Sequence, residues 1–317
     1  MLSLYKSLFL VAALCTVTGG SPIPSSSLHF KRIVVFGDSY SDNGNFYSMT
    51  EGGYPKPPYA KRFSNGPVWN EYLVNVTGWE LENYAFGGAT TDNSVINGLT
   101  GPRNVSAPGI AQQIANKYFP TLTDAKLATI DSSTLFVLWA NGNDFSDDNF
   151  ALANQVVDRL TASIDSIRNR IPTAKHFLTF ALSGLGDIPL LAGKNQTSIT
   201  ASAVRTYAKA LSGEFNFLYR VAVEKYQVEH EGVKISLFPT DQLFEYLVTP
   251  EGMQAAKITE VRDGCVDYYY KDGEAYFTRI CDNPQDYLYF DNYHPTTTIH
   301  SHISAAVLSF LEHEYST

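Results

Sequence analysis

Four short stretches of this 317-residue chain carry groups suited to nucleophilic chemistry. Gly37-Asp38-Ser39 places a hydroxyl at the head of a small, polar, turn-forming segment that runs on to Asn45. Near the other end, Asp291-Asn292-Tyr293-His294-Pro295 sets a carboxylate three residues ahead of an imidazole. A serine attacks only when a base takes its proton, and the base needs a carboxylate on its other ring nitrogen. Ser39, His294 and Asp291 supply those parts, and the spacing of three lets one turn deliver base and orienter together. The oxyanion made by such an attack also needs donors. The N–H of Ser39, a backbone N–H of Gly87-Gly88-Ala89-Thr90 and the amide of Asn143 in Ala140-Asn141-Gly142-Asn143-Asp144 are groups of that kind. Taken singly, each has an ordinary use: Ser39 as a helix N-cap, the glycine pair as a tight turn, Asp291 as the cap of a last helix. Their combination and order point to acyl transfer.

The patterning between these stretches predicts the frame that holds them. β-branched and aromatic runs at Arg32–Phe36, Leu81–Phe86, Leu135–Trp139, His176–Ala181 and Lys234–Phe238 read as buried strands. Helical spacing of apolar residues marks Leu152–Ile171, Ser198–Gln227 and Thr297–Glu312. Strands alternating with helices imply parallel βαβ units with helices on both faces, so the expected fold is a three-layer α/β/α sandwich around a mainly parallel sheet of about five strands. Ligands bind outside the carboxyl ends of such strands. Ser39, Gly88 and Asn143 follow the first, second and third runs, and the Asp291/His294 pair immediately precedes the last helix. No internal repeat or inter-strand linker is visible, which favours a single domain over residues 21–317 with a tyrosine-rich excursion at about 250–290. The tyrosines there, and Tyr47, Tyr54 and Tyr59, fit either a substrate wall or the packing of that excursion.

Composition narrows the setting. With 23 Lys+Arg against 32 Asp+Glu the net charge is −9, and no basic run occurs, so nucleic acid is excluded as a natural partner. Residues 1–20 read as a secretory signal peptide, followed by a Ser/Pro-rich linker at 21–27, and no later run is long and apolar enough to span a membrane. Secretion removes Cys15 and leaves Cys265 and Cys281, for which an oxidising compartment predicts a disulfide. The sequons at Asn75, Asn104 and Asn195 predict glycosylated surface loops. His300 and His302 lie two apart on a helix and so diverge, and Asp38–Gly44 lacks the ligand pattern of a calcium loop, so no metal site is expected.

The four stretches together resemble the SGNH, or GDSL-type, ester hydrolases, whose motif blocks they match in order over nearly the whole chain beyond the leader. The resemblance implies a flavodoxin-like fold, Ser39 as nucleophile, Ser39, Gly88 and Asn143 as the oxyanion hole, Asp291 and His294 as the Asp-x-x-His-Pro pair, and no cofactor. Arg62–Trp69 and Asn83–Thr90 further resemble the subgroup of secreted phospholipase/acyltransferases, thermolabile haemolysins and fungal acetylesterases. In physical terms the first of these reads as a turn at Asn65-Gly66 with Pro67 opening a helix. Two positions depart from the family pattern: Tyr40 stands in place of leucine and Asn141 in place of glycine. Gly87 competes with Gly88 as donor, and the spacing from Asn83 favours Gly88. The expected activity is that of a secreted carboxylic ester hydrolase working through an acyl-enzyme. Its substrate is either a lipid or phospholipid ester or an acetyl group on plant polysaccharide. A binding protein that keeps this fold without turnover would be marked by loss of a catalytic residue, and none is missing.

Overall fold

The computed structural model describes residues 28–146 and 151–316, so the expected leader and Ser/Pro linker lie outside the described residues. In chain order the strands are β1 (Arg32–Gly37), β2 (Glu80–Asn83), the short β3 (Leu99–Thr100) and β4 (Val105–Ser106), β5 (Thr134–Trp139), β6 (His176–Phe180), β7 (Lys234–Phe238), β8 (Glu260–Gly264), β9 (Val266–Lys271), β10 (Glu274–Ile280) and β11 (Tyr287–Tyr289). Five of them form one parallel sheet in the order β2-β1-β5-β6-β7. The larger helices are α1 (Trp69–Thr77), α2 (Ala153–Arg170), α3 (Ile199–Glu229), α4 (Thr240–Leu247), α5 (Pro250–Ala256) and α6 (Thr297–Tyr315).

Strands β1, β5 and β6 are buried on both faces of the sheet, which is why they read as continuous apolar runs, whereas the edge strand β2 is partly exposed. Side chains alternate between two cores. Ile33, Val35, Leu135 and Val137 meet α1, α4 and α6 on one face, while Val34, Phe36, Phe136 and Phe177 meet α2 and α3 on the other. Helix α2 buries Val156, Leu160, Ile164 and Ile167, a three-to-four-residue stripe that explains its helical pattern. Ser198 and Thr296 cap α3 and α6, their side chains accepting from the N–H of Ala201 and Ile299.

Several local expectations need correction. The regular part of the second strand ends at Asn83, where the side chain accepts the Ala85 N–H at 2.9 Å, but Tyr84 and Phe86 still donate to the Val35 and Gly37 carbonyls of β1 at 2.8 and 3.1 Å, so the pairing runs on to Phe86 in irregular form. Pro67 does not open α1. The helix starts at Trp69, and Glu71 reaches back to accept the Val68 N–H at 2.9 Å, while the Pro67 carbonyl accepts from Thr297 Oγ1 at 2.8 Å. Asn75 lies exposed on α1 rather than in a loop, whereas Asn104 and Asn195 are exposed in turns. The excursion begins beyond 256, since Ala256 of α5 joins the main core. Beyond it, β9 and β10 pair as an antiparallel hairpin closed by a Cys265–Cys281 disulfide. The pleat divides its tyrosines: Tyr268 and Tyr270 turn toward Tyr59 and Tyr54, and Tyr269 stacks on Tyr276 outside.

The carboxyl end of β1 has to leave the sheet without losing its hydrogen bonds. Gln113, fully buried, does this work: its Oε1 accepts the Gly37 N–H at 2.9 Å and its Nε2 donates to the Gly37 carbonyl at 2.8 Å. Gly37 is required here by close approach, since a Cβ would sit 2.7 Å from the Trp139 carbonyl. The Gly37 carbonyl also accepts from the Phe86 N–H at 3.1 Å, so Gln113→Ala should leave the buried Gly37 N–H unpaired and destabilise the fold by about 1–3 kcal/mol, which urea unfolding would measure. A loss below about 0.5 kcal/mol would show that the strand end is satisfied in some other way.

Candidate active site

The turn after β1 carries Ser39, and the turn before α6 carries Asp291 and His294. The structure brings them together: His294 Nε2 lies 2.8 Å from Ser39 Oγ, and His294 Nδ1 lies 2.9 and 2.8 Å from the two oxygens of Asp291. With Nδ1 against a carboxylate, the proton sits on Nδ1 and Nε2 faces the serine as an acceptor. The three-residue spacing acts as the sequence implies. Asp291 Oδ1 accepts the backbone N–H of Tyr293 and of His294, both at 2.8 Å, so the carboxylate builds the turn that presents its own partner. Burial pushes the Asp291 carboxyl up, but the imidazole, the Tyr59 hydroxyl and the Tyr293 N–H outweigh it and hold the group below its usual range.

A clamp from the 60s segment fixes this turn. Ser64 Oγ donates to the Pro295 carbonyl at 2.9 Å, and Asn65 Oδ1 accepts the Thr297 N–H at 2.8 Å. Gly66 is needed because a Cβ would lie 2.7 Å from Thr297 Oγ1. Phe63 packs its ring 5.3 Å from that of His294.

The candidate oxyanion donors are sorted by what is already in use. Gly87 N–H donates to Asp42 Oδ2 at 2.9 Å, and Ala89 N–H to the Phe86 carbonyl at 3.1 Å. The N–H groups of Ser39 and Gly88 have no acceptor among the described residues. Gly88 has φ +82°, and a Cβ there would fall 2.0 Å from Thr100 Oγ1, so no other residue can take its place. Asn143 Nδ2 donates to the Ala89 carbonyl at 2.9 Å, which fixes its amide beside the glycine loop. Asn141, the departure from the family pattern, points elsewhere and donates to the Phe180 carbonyl at 3.1 Å.

Two buried carboxylates that sequence reasoning missed lock these loops together. Asp42 accepts from Gly44, Asn45, Phe46 and Gly87 N–H groups, tying the serine turn to the glycine turn. Asp144 accepts from Thr91 N–H at 2.9 Å and from Arg159 Nη2 at 3.0 Å, tying the glycine turn to the Asn143 turn. Gln113 and Tyr59 were missed as well, because a contact between residues tens of positions apart leaves no mark in local spacing. Ser41, the nearest alternative hydroxyl, is buried with its Oγ accepting from Trp69 Nε1 at 3.0 Å. Tyr54 and Tyr59 are buried, with their hydroxyls on Tyr270 and Asp291, so both pack against the excursion. His300 is fully buried behind Tyr40, with its pKa pushed down to about 3 by that burial.

Residues 33–307 match the family described as GDSL-like Lipase/Acylhydrolase, and the chain belongs to that family. It is 29% identical over 289 residues to the thermolabile hemolysin of Vibrio parahaemolyticus, covering 87% of this chain and 63% of the hemolysin. It is 27% identical to the phosphatidylcholine-sterol acyltransferase of Aeromonas hydrophila, covering 90% and 91% of the two chains. The acetylesterase of Hypocrea jecorina is 30% identical over 158 residues, which cover 47% of this chain and 45% of that relative.

Asp38, one residue before the serine, is buried with its pKa pushed up to about 7, chiefly by loss of solvent. The folded chain thus holds a proton at Asp38 that the unfolded chain releases near the ordinary carboxylate value of 3.8, so its contribution to stability is present at low pH and is lost as pH rises to about 7. Asp38→Asn should remove that loss, so the melting temperature of the variant should fall less than that of the wild type between about pH 5 and pH 8. Parallel melting curves across that range would show that Asp38 carries no such burden.

Proposed function

We propose, from membership of that family and from the geometry, that this protein is a carboxylic ester hydrolase with Ser39 as nucleophile. The observation that carries the reading is the unbroken line of hydrogen bonds from Asp291 through His294 to Ser39 Oγ. His294 Nε2 takes the hydroxyl proton as Oγ attacks the ester carbonyl, and Asp291 stabilises the imidazolium that forms. The carbonyl oxygen becomes an oxyanion facing the free N–H groups of Ser39 and Gly88, with the Asn143 amide as third donor. Collapse expels the alcohol, which takes the proton from His294, and water then enters by the same steps in reverse to release the acid and restore Ser39.

The setting we propose is extracellular, with one hydrolase domain over residues 21–317. The leader-like N-terminus, the Cys265–Cys281 disulfide and the exposure of Asn75, Asn104 and Asn195 support it. No helix among the described residues is long and apolar enough to cross a membrane. The named relatives include an acyltransferase and an acetylesterase, so the acyl group is to be decided by a hydrolysis panel from acetyl to palmitoyl nitrophenyl esters, extended to phosphatidylcholine and acetylated oligosaccharide.

A fluorophosphonate probe should label the purified protein on the peptide containing Ser39. Ser39→Ala should abolish labelling and lower kcat by about 10⁶, and Asn143→Ala should cost roughly 10²–10³ as one donor of three. A Ser39→Ala protein that keeps more than about one per cent of wild-type kcat would refute the assignment.

A further inference from the structure

We infer that Tyr59 is a positioning residue for this site: its hydroxyl holds Asp291 Oδ2 in the plane that His294 needs, and the disulfide-tied hairpin is the seat that holds Tyr59. The inference deepens the ester-hydrolase reading and rests on it.

The two oxygens of Asp291 are held unequally. Oδ1 accepts two backbone N–H groups from its own turn as well as His294 Nδ1. Oδ2 has only His294 Nδ1 at 2.8 Å and the Tyr59 hydroxyl at 2.6 Å. Among the described residues, Tyr59 is thus the one donor to Asp291 from outside the 291–294 turn. Without it the carboxylate, fully buried, pivots on Oδ1 and Oδ2 leans on the imidazole alone. A short hydrogen bond to an ionised acceptor is among the stronger polar contacts a protein makes.

Tyr59 itself is placed by the excursion. Its ring lies 5.1 Å from Phe290 and within 6.5 Å of Phe277 and Tyr268, in one buried cluster with Cys265 and Val266. The backbone that carries these residues runs directly against the site, since a Cβ on Gly264 would lie 2.6 Å from the Asp291 carbonyl group. The titratable groups that act on Asp291 are His294 and tyrosines 40, 54, 59, 268 and 270. Burial keeps those phenols protonated, so Tyr59 is a permanent donor and His294 the one partner there that can carry charge.

Tyr59→Phe keeps the ring and removes the donor. The full chain carrying it should lose about 10–100-fold in kcat on a nitrophenyl ester, the rate equivalent of one charge-assisted hydrogen bond, with KM within about twofold. The Tyr59 bond also lowers the Asp291 pKa, so its loss should move the acidic limb of kcat/KM to higher pH. The same shift should appear without substrate, as loss at higher pH of the far-downfield proton resonance of His294 Nδ1. Incorporation of 3-fluorotyrosine at position 59, a more acidic donor, should move both readouts the opposite way, which a packing change cannot do, and serves if the phenylalanine variant fails to fold. Unchanged kcat and an unchanged resonance titration in both proteins would overturn the inference. A wild type without esterase activity would instead refute the ester-hydrolase reading, and the resonance titration would still decide the role of Tyr59.

Discussion

A carboxylate removed from water has to be met by donors, and the burial of Asp291 is the constraint to which the C-terminal third of this chain answers. Its own turn supplies two N–H groups, the imidazole a third donor, and Tyr59 a fourth. Each of those donors draws structure behind it. The turn must end where α6 begins, so Pro295 and Thr297 are held by Ser64, Asn65 and Pro67. The phenol needs an apolar seat, and the hairpin behind Cys265 and Phe290 provides one. The parallel sheet positions Ser39 by ending β1 at Gly37. It does nothing for His294, which depends on these added parts.

The same economy of buried charge joins the other loops. Asp42 and Asp144 each bridge two turns that follow different strands, and each fills its acceptor positions with backbone or side-chain donors from both. Apolar packing tolerates small displacements, whereas a buried carboxylate with directional partners does not. In the proposed chemistry the donors must face an oxyanion within a few tenths of an ångström, and directional bonds are the better restraint for that. Burial raises the pKa of both Asp42 and Asp144 even though their acceptors are filled. The loops are therefore held at some cost in stability at neutral pH, and the large apolar cores on either side of the sheet offset it.

What could be read from the sequence follows from how local each signal is. The central strands and α2, α3 and α6 were legible because a strand buried on both faces is an apolar run and an amphipathic helix is a stripe, and both patterns are complete within one segment. Ser39, Asp291 and His294 were legible because chemistry restricts their residue types and their neighbours. The irregular end of β2 was not, since the Asn83 side chain bonds the Ala85 N–H while Tyr84 and Phe86 go on pairing with β1, a local change that apolar periodicity does not register. Pro67 misled for a related reason: its place was set by Thr297, some 230 positions away. Tyr59 read as one aromatic among many. Only the fold shows that it is buried and aimed at a carboxylate, and that Tyr268 faces it and Tyr270 faces Tyr54 while Tyr269 and Tyr276 stack on each other outside.

Asp38 and Asp291 flank the serine–histidine pair, both buried, yet their environments push them in opposite directions. Asp291 has an imidazole and a full set of donors, and it stays ionised. Asp38 is pushed up to about 7 chiefly by burial, which the Tyr40 N–H at 3.0 Å and the nearby His294 only partly oppose and to which Asp144 adds. Pairs of acids driven apart in this way divide their roles by environment. In the proposed chemistry the positive charge forms on His294 and the negative charge on the oxygen beside Ser39, Gly88 and Asn143. An anion at Asp291 favours the first of these. A full anion at Asp38, one residue from the attacking oxygen, would repel the second, in a region where low solvent exposure makes that repulsion strong. Raising the pKa of Asp38 weakens that repulsion and also gives up part of the attraction the same anion has for His294, which leaves Asp291 as the main anionic partner of the imidazolium.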